Sequence, residues 1–423
     1  MFYLPQFYSC KIHLYENLYI YLCITLIIII ISIFVYIKLS FPFWNIQPVY
    51  HSYDFWRRLY MYPFIIHPTF RITHTNKFHD LQNVEIIPFV DATNENKQTF
   101  INLLQCYLLP SENSIFVFNS ENLETYFGGH MFSSFISFYK EEYNKTDIAC
   151  ISSRSGELFV KNFNENCLPI PIYYIDFLCI KRDLDYKKIS RILLQTHIYK
   201  QQILQHIENI QNKCSQKIIM ISIFRREKEL LNGIIPLIEF KTSFYKISDF
   251  NHFPFILPEH VLLINIIVTN LDIFIDFLEE CKNAKRFSVF LRTDISNLIG
   301  LIKSGILYVY CLKYFDTIYG VYIFRDTRSN YDDFGSILQL VVSINNCSSQ
   351  ELFINGFFQS MNDIMKKIPV YKIVMIDEIS DNDIILRTCG FQSQSEYLSA
   401  YYLYNMVVPY SPLKMGGDFF ILF

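Results

Sequence analysis

The sequence has 423 residues, of which 51% are hydrophobic and 17% aromatic, and its 37 basic and 40 acidic side chains leave a formal charge of −3. This composition excludes a disordered chain, which would be poor in aromatic residues and rich in charge. The slight acidic balance also argues against general nucleic-acid binding, which requires a basic excess.

The first feature along the chain is an uncharged apolar stretch at residues 18–37. A helix of that length rises about 30 Å, which is the thickness of a bilayer core. Tyrosines near both ends are typical of the membrane interface. The stretch therefore predicts one transmembrane helix within an N-terminal segment, residues 1–40.

Two alternatives to a membrane anchor fit this stretch less well. A cleaved signal peptide would have a shorter apolar region followed by small residues, whereas residues 38–42 read KLSFP. A buried core helix would have a polar face, which this stretch lacks. Lys38, Arg57 and Arg58 follow the span and Lys11 precedes it, so the positive-inside rule predicts a cytosolic location for the long C-terminal part.

The remainder predicts an α/β body in which a mixed sheet is flanked by helices. Its predicted strands are short apolar runs rich in β-branched and aromatic residues, and its predicted helices show apolar residues at helical spacing. The predicted strands are 173–180, 218–224, 307–312, 321–325 and 370–376, and the predicted helices are 189–210 and 352–367.

The eleven cysteines and the missing signatures narrow the chemistry. No two cysteines stand at C-x2-C spacing and their number is odd, so no zinc site or disulfide framework is expected. They are expected to be small core residues of a reducing compartment. The sequence has no G-x-G-x-x-G, no P-loop, no H-E-x-x-H and no G-x-S-x-G, which argues against dinucleotide, nucleotide, metalloprotease and hydrolase sites.

The strand, loop and helix at 173–210 are the most suggestive chemically. The loop carries Lys181, Arg182, Lys187 and Lys188 before the predicted helix. A helix N-terminus offers free N–H groups to a pyrophosphate, so the segment could hold a thioester at the strand and CoA phosphates at the helix start. A solvated basic loop is the plainer interpretation.

Five motifs in order resemble those of N-myristoyltransferases, whose fold consists of two fused N-acetyltransferase-like halves. Residues 43–49 (FWNIQPV) resemble F-W-x-T-Q-P-V, and 175–180 (IDFLCI) resemble I-N-F-L-C-V, after which 184–193 continue like the family's CoA loop and helix. Residues 236–241 (PLIEFK) resemble K-L-I-E-V-K, and 401–405 read Y-Y-L-Y-N. The resemblance covers about 41–423. It implies an acyl-CoA-binding half at 41–215 and a peptide-binding half at 216–423.

The resemblance implies a catalytic set that uses main-chain groups. The amides of Phe177 and Leu178 would form the oxyanion hole. The base would be the terminal carboxylate of Phe423, buried by its apolar tail. The family's active-site threonine falls on Asn212, where its motif is lost.

For the acyl donor, the resemblance implies myristoyl-CoA as co-substrate, with no permanent cofactor and no metal. Asp185 and Arg191 depart from the family's loop pattern, so donor binding is expected to be altered. The residues implied to contact the donor are Phe43, Trp44, Cys179, Ile180, Lys187, Lys188, Ile189 and Ser190.

The peptide side departs further from the family pattern. Tyr107, Phe116 and Phe118 fall on its aromatic positions, although core packing explains them equally well. Its acidic stretch is replaced at 108–112. Two further motifs are partly retained. The family's Y-W-H-R survives at best as residues 223–226 (IFRR), with Arg225 and Arg226, and its F-N-A-L-D reads IVMID at 373–377, where Asp377 is kept and the asparagine is lost.

The function implied is transfer of a myristoyl group from acyl-CoA to the N-terminal glycine amine of a protein by a membrane-anchored enzyme, with no nucleic-acid partner. Two alternatives stay open. One is a catalytically degenerate protein that binds acyl-CoA or acylated peptides, and the other is an acyltransferase with a different amine acceptor.

Overall fold

The computed structural model describes residues 6–70, 75–109, 114–163, 169–211, 218–252, 256–315, 317–331, 335–347, 349–414 and 416–423, with side chains described from residue 18 and not at 251–252. The helices are α1 (Gln6–Ser40), α2 (Asn94–Tyr107), α3 (Ser120–Phe127), α4 (Tyr186–Gln211), α5 (Leu271–Asn283), α6 (Ile295–Lys303), α7 (Gln350–Lys367) and α8 (Asn382–Cys389). The first strands are β1 (Phe64–Ile65), β2 (Val84–Pro88), β3 (Ser114–Phe116), β4 (Phe135–Lys140), β5 (Asp147–Val160), β6 (Ile170–Ile180), β7 (Ser222–Glu227), β8 (Ile238–Lys246) and β9 (Val261–Ile266). The remaining strands are β10 (Val289–Thr293), β11 (Leu307–Tyr314), β12 (Thr317–Tyr331), β13 (Gly335–Asn345), β14 (Tyr371–Asp377), β15 (Ser395–Tyr404), β16 (Met406–Val407) and β17 (Phe419–Leu422).

One mixed sheet organises the body and confirms the predicted fold class. Its main path runs β17-β10-β5-β6-β7-β15-β8-β14-β13-β12-β11-β9, with β2 and β4 joined beside β5 and β3 joined to β12. Most pairs are antiparallel, whereas β6–β7, β13–β14 and β10–β17 are parallel. The predicted boundary at 215 falls between α4 and β7. In the sheet, β10 of the second segment pairs with β5 of the first, and β17 pairs with the other edge of β10.

Helices cover both faces of the sheet because the strand side chains alternate. On β5, Cys150 faces a cluster built with α2, α3, α5 and α6, whereas Ala149 and Ile151 face α4. On β11, Val309 packs toward the first cluster and Tyr310 toward α7. The sheet is therefore the middle layer of the body.

Helix α4 is joined to the sheet by polar as well as apolar side chains. Buried His197 bonds to Ser137 Oγ at 2.7 Å and to Ser153 Oγ at 2.9 Å. Gln201 Oε1 accepts from Ser153 Oγ at 2.9 Å, and Gln205 Oε1 accepts from the N–H of Ile219. These bonds satisfy the buried polar groups and fix the helix over β4 and β5.

The apolar helix α1 stands apart from this core. Its segment Leu18–Ser40 is long and apolar enough to cross a membrane, and none of its apolar window is buried within the protein. Exposed apolar side chains of this kind are expected of a helix that is surrounded by lipid.

Most predicted elements are present within a few residues of their predicted bounds, but the strand predicted at 218–224 was wrong over its first half. β7 begins only at Ser222. Of the preceding residues, Ile221 accepts one main-chain bond from the N–H of Tyr173 on β6, whereas the N–H of Ile219 donates to the Gln205 side chain instead of to a strand. The expectation for the cysteines holds in part: Cys150, Cys179, Cys281 and Cys311 are buried core residues, whereas Cys106 and Cys23 are exposed.

Candidate active site

One cavity of about 1730 Å³ runs along the sheet from α4 to the β12–β14 region. At one end its wall includes Trp44, Lys187 and Ser190, and at the other Arg325 and Gln339. Residues of both predicted halves therefore line a single space.

The middle of the cavity is bounded by an irregularity in β6. The pairing of β5 with β6 skips a residue between Cys150 and Ser152, opposite the stretch from Asp176 to Cys179. Phe177 adopts a positive φ of 52° at this bulge. A bulge releases main-chain amides from the ladder, and a non-glycine residue with positive φ marks backbone held in place by its surroundings. Phe177 and Leu178 both line the cavity here.

The Phe177 ring fixes this backbone. It is buried among the rings of Phe100, Phe116, Phe118 and Tyr126, with centroids 5.7–6.2 Å away. Each such aromatic pair adds roughly 0.5–1.5 kcal/mol beyond area burial. The strained conformation is therefore supported by packing.

The amide of Phe177 already has an internal partner. Its N–H donates to Oδ1 of Asp176 at 2.8 Å. The other oxygen of that carboxylate lies 3.6 Å from Nη2 of Arg154. An oxyanion could use this amide only after the Asp176 carboxylate moves aside.

Phe423 is buried, with 4% of its surface exposed. Strand β17 pairs in parallel with β10, and the Phe423 ring stacks on Tyr174 with centroids 5.1 Å apart. Burial raises the pKa of Tyr174 well above its ordinary value, so its hydroxyl stays neutral. The end of the chain is thus held inside the molecule, next to β6.

A main-chain oxygen of Phe423 accepts a hydrogen bond from Nη1 of Arg325 at 3.1 Å. Nε and Nη2 of Arg325 donate to Gln339 Oε1 at 3.0 and 2.6 Å, and Gln339 Nε2 donates to Asp377 Oδ2 at 2.8 Å. Asp377 in turn forms a bidentate pair with Arg225 at 2.7 and 3.0 Å. These four side chains make a continuous polar chain that ends at Phe423.

Charge pairing stabilises the ionised form of Arg225. Burial opposes that charge, but Asp377 and Glu227 outweigh the effect and raise the pKa of Arg225 well above its ordinary value. In the family resemblance, Arg225 and Asp377 belong to two separate motifs. The structure joins them as one ion pair.

Arg154 is the second guanidinium near the chain end. It is fully buried, and its three nitrogens form no hydrogen bond with any described group. Its guanidinium carbon lies 4.9 Å from the ring centroid of Tyr126 and 6.0 Å from that of Phe423. Together with the 3.6 Å contact to Asp176, these distances place Arg154 close to both the Phe177 bulge and the Phe423 ring.

The residues predicted to contact the donor fall into two groups. Phe43, Trp44, Lys187 and Ser190 line the cavity. Trp44 stacks on Phe224 with centroids 5.9 Å apart, and Phe43 is buried behind it.

The other four predicted donor residues do not line the cavity. Cys179 donates through Sγ to the carbonyl of Leu103. Ile180 of β6 and Ile189 of α4 belong to the same core cluster. Lys188 is exposed. Three of these residues therefore pack in the core and Lys188 faces solvent, and none of the four lies on the cavity wall.

The start of α4 carries its own anion. The carboxylate of Asp185 accepts from the N–H of Lys188 at 3.0 Å, which caps the helix. Lys187 and Arg191 still present cations on the cavity wall. A CoA phosphate would therefore be held by side-chain cations beside a capped helix end.

Most residues predicted to bind the peptide lie in or against the hydrophobic core. Phe116 lines the cavity and stacks on Phe118 at 5.2 Å, but Phe118 is core. Tyr107 packs at the edge of the same cluster. Asn212 and residues 110–112, which resemblance assigned to other parts of the site, lie outside the described residues.

Sequence reasoning missed Arg154, Arg325 and Gln339. The one available signal was a charged residue inside or at the end of an otherwise apolar strand, as at Arg325 after 321–324. A buried charge needs a partner, so a residue of this kind predicts an interaction whose partner the sequence does not identify.

No family model matches the sequence, and no curated protein matches it either. Solved structures do match. Saccharomyces cerevisiae N-myristoyltransferase with bound myristoyl-CoA is similar with a TM-score of 0.63 at 12% identity, covering 87% of this chain and 93% of that chain. Another structure of the yeast enzyme, with bound myristoyl-CoA and inhibitors, gives a TM-score of 0.61 at 14% identity, covering 88% and 92%. The body therefore has the N-myristoyltransferase fold, at a sequence identity that shows the fold alone.

Proposed function

We propose that this chain transfers a fatty acyl group from acyl-CoA to an amine, and that the acceptor is the N-terminal glycine of a protein. The observation that carries the proposal is that one cavity joins the Phe177 bulge to Arg325, the residue that holds Phe423. The shared fold with an enzyme crystallised with myristoyl-CoA supports the donor class. The apolar helix α1 supports attachment to a membrane.

In the proposed reaction the thioester carbonyl lies at the bulge. Once the Asp176 carboxylate has moved aside from the Phe177 N–H, the amides of Phe177 and Leu178 stabilise the negative charge that develops on its oxygen. The acceptor amine attacks the carbonyl carbon, a C–N bond forms, the C–S bond breaks, and CoA leaves as the thiolate. The carboxylate of Phe423 takes the proton that the amine releases.

The test uses the full chain in detergent or vesicles, with labelled myristoyl-CoA and a peptide that begins with glycine. We expect label transfer to the peptide. An addition of two residues after Phe423 moves the carboxylate out of its position and should lower the rate at least about 100-fold, the scale of losing a general base. Phe423→Leu keeps the carboxylate in place and should retain most of the rate.

Three results would count against the proposal. No transfer by a folded chain excludes the enzyme. Undiminished activity of the extended chain excludes the terminal carboxylate as the base. Transfer only to lysine or small amines excludes the glycine acceptor but keeps the acyltransferase.

A second function is favoured by one observation. The Phe177 amide donates to the Asp176 carboxylate, so the oxyanion position is occupied by a charge of the wrong sign. A protein that binds acyl-CoA or acylated peptides without turnover could keep this bond. Saturable myristoyl-CoA binding with no transfer to any amine would support that function over catalysis.

A further inference from the structure

A second feature of the molecule lies outside the cavity. Six apolar or aromatic side chains within residues 55–62 are exposed by 58–83% each, and we refer to them as the 55–62 patch. Its members are Phe55, Trp56, Leu59, Tyr60, Met61 and Tyr62. Single exposed apolar residues are normal, but a contiguous set of this size marks a binding surface.

The patch is attached to the point where α1 leaves the body. Phe41 directly follows α1, donates its N–H to the carbonyl of Ile37 at 2.9 Å, and stacks on Tyr53 with centroids 5.9 Å apart. The patch begins two residues after Tyr53. Arg58 then donates back to the carbonyl of Ser52 at 2.9 Å, which folds the patch against the same junction.

The composition of the patch suits the interface of a bilayer. Tryptophan and tyrosine favour the headgroup level, where one end of the ring is apolar and the other is wet. Arg58 lies within the patch, and Lys38 lies in the last turn of α1. Arg57 is partly neutralised by Asp54 at 2.8 Å. The remaining cations complement anionic headgroups.

The cavity reaches this junction as well. Tyr36 and Ser40 of α1, with Phe41 and Pro42 after it, belong to the cavity wall together with Trp44. If α1 crosses the membrane, the end of that helix and this end of the cavity lie at the same membrane surface.

We propose that the 55–62 patch docks the body onto the lipid surface beside α1, so that the cavity opens at the headgroup level. The ligand of the patch is the boundary between headgroups and acyl chains of the bilayer. An acyl chain could then pass between the bilayer and the cavity without crossing water. The proposal needs α1 in the membrane, but it does not depend on acyl transfer.

The chain contains only two tryptophans, Trp44 and Trp56, which makes the test direct. In the full chain reconstituted in vesicles, Trp44→Phe leaves Trp56 as the single tryptophan, which is excited selectively at the red edge of the absorption band, where tyrosine does not absorb. Its emission is quenched separately by lipids brominated near the headgroup end of the acyl chain and by iodide in the water. Flotation with the vesicles checks that the chain is bound.

The matched control carries its tryptophan elsewhere. Phe315→Trp, combined with Trp44→Phe and Trp56→Phe, uses a site of the same exposure, 76% against 75% for Trp56. Phe315 lies in the turn between β11 and β12. Four strands separate β11 from β15, whose Tyr404 pairs with Val49 in the segment that leads to the patch.

We expect brominated lipid to quench position 56 at least about twofold more than position 315, and iodide to give the reverse order, because an interfacial ring leaves the water. Equal quenching at the two positions would overturn the proposal. So would protection from iodide at position 56 without quenching by lipid, since another protein surface would then cover the patch. Failure to float with the vesicles would also overturn it.

Discussion

Two backbone sites suited to negative oxygens are each capped by an aspartate of the chain itself. At the bulge the Asp176 carboxylate accepts from Phe177, and at the start of α4 the Asp185 carboxylate accepts from Lys188. Each cap satisfies an N–H group that would otherwise be unpaired. Each also puts a negative charge where a bound group would be negative: the thioester oxygen, which develops charge during the reaction, or a phosphate, which already carries it. Both aspartates therefore stabilise the protein without bound acyl-CoA more than the protein with acyl-CoA bound.

Asp176→Asn should make the bulge a better oxyanion site. The substitution keeps the size of the side chain but removes the charge that repels the developing oxyanion, so we expect kcat for acyl transfer to rise about tenfold, or about 1.4 kcal/mol. The matched control, Asp185→Asn, should lower KM for acyl-CoA and leave kcat unchanged. Steady-state kinetics with both substrates measures the difference. A fall in kcat for Asp176→Asn at unchanged stability would show that the carboxylate assists the reaction.

His197 should make the fold sensitive to acid. Burial lowers the pKa of His197 from 6.5 to about 3 in the folded protein. Between these values the unfolded chain binds a proton that the folded chain excludes. Stability is therefore full above pH 6.5 and falls below it by about 1.4 kcal/mol per pH unit. Thermal unfolding of the full chain in detergent between pH 7.5 and 5 measures this slope, and His197→Gln should reduce it. Equal slopes for the two proteins would exclude His197 as the cause.

Strand β17 reaches the site only because β5 has no side chain where the Phe423 ring lies. A Cβ at Gly156 would lie 2.6 Å from the carbonyl oxygen of Arg292 and would also meet the Phe423 ring. The first of these neighbours is backbone of β10 and cannot yield easily. The close packing of β5, β10 and β17 therefore depends on the missing side chain at Gly156.

Gly156→Ala should displace the end of β17. Overpacking of this kind costs about 1–3 kcal/mol, and movement of Phe423 should lower acyl transfer by more than the stability change explains. Gly300→Ala in α6 is the control: its nearest neighbour would be Thr125 Cγ2 at 3.6 Å, so it should stabilise by up to about 1 kcal/mol. Unfolding and rate are measured for both. If Gly156→Ala changes stability and rate no more than Gly300→Ala does, β17 does not require the space left by Gly156.

Elements with a strong local signal were predictable from the sequence. The apolar periodicity at 189–210 predicted α4, which extends over Tyr186–Gln211, and the apolar run at 173–180 predicted most of β6. The failure at 218–221 has a tertiary cause, because an amide of the loop pairs with a helix side chain. Nothing in the sequence IDFLC indicates a positive φ at Phe177, since an aromatic residue rarely adopts one and only its packing requires it.

The polar chain behind the cavity could not be predicted for a different reason. Arg225 and Asp377 are separated by 152 positions, and Arg325 and Phe423 by 98. Each residue taken alone is an ordinary charged or apolar position. Their juxtaposition follows from the strand order, which the sequence pattern left open. The resemblance in motifs supplied Phe423 as a candidate, but not the arginine that holds it.

At the scale of the molecule, the polar chain of Arg225, Asp377, Gln339 and Arg325 connects the sheet to Phe423. Arg225 lies on β7, Asp377 on β14, Gln339 on β13 and Arg325 on β12, and the last bond holds Phe423. Every link is buried or nearly so, so losing one leaves a partner unpaired. The position of the proposed base is therefore set by strands across the whole second half of the sheet.

Asp377→Asn tests this coupling. It leaves the guanidinium of Arg225 with Glu227 as its remaining carboxylate, and removing one partner of a buried pair costs about 3 kcal/mol or more. Because Gln339 also loses a charged acceptor, Arg325 and the carboxylate of Phe423 should shift, and the rate should fall about tenfold beyond the effect on stability.

Asp383→Asn is the control, since its pair with Arg387 spans one turn of α8 and is largely exposed on the arginine side. Loss of that pair should cost at most about 0.5 kcal/mol and leave the rate unchanged. Denaturant unfolding and acyl transfer measured on both variants separate the two effects. If Asp377→Asn lowers stability but the remaining folded protein transfers acyl groups at the full rate, the polar chain supports the sheet alone and the base is positioned by β17 itself.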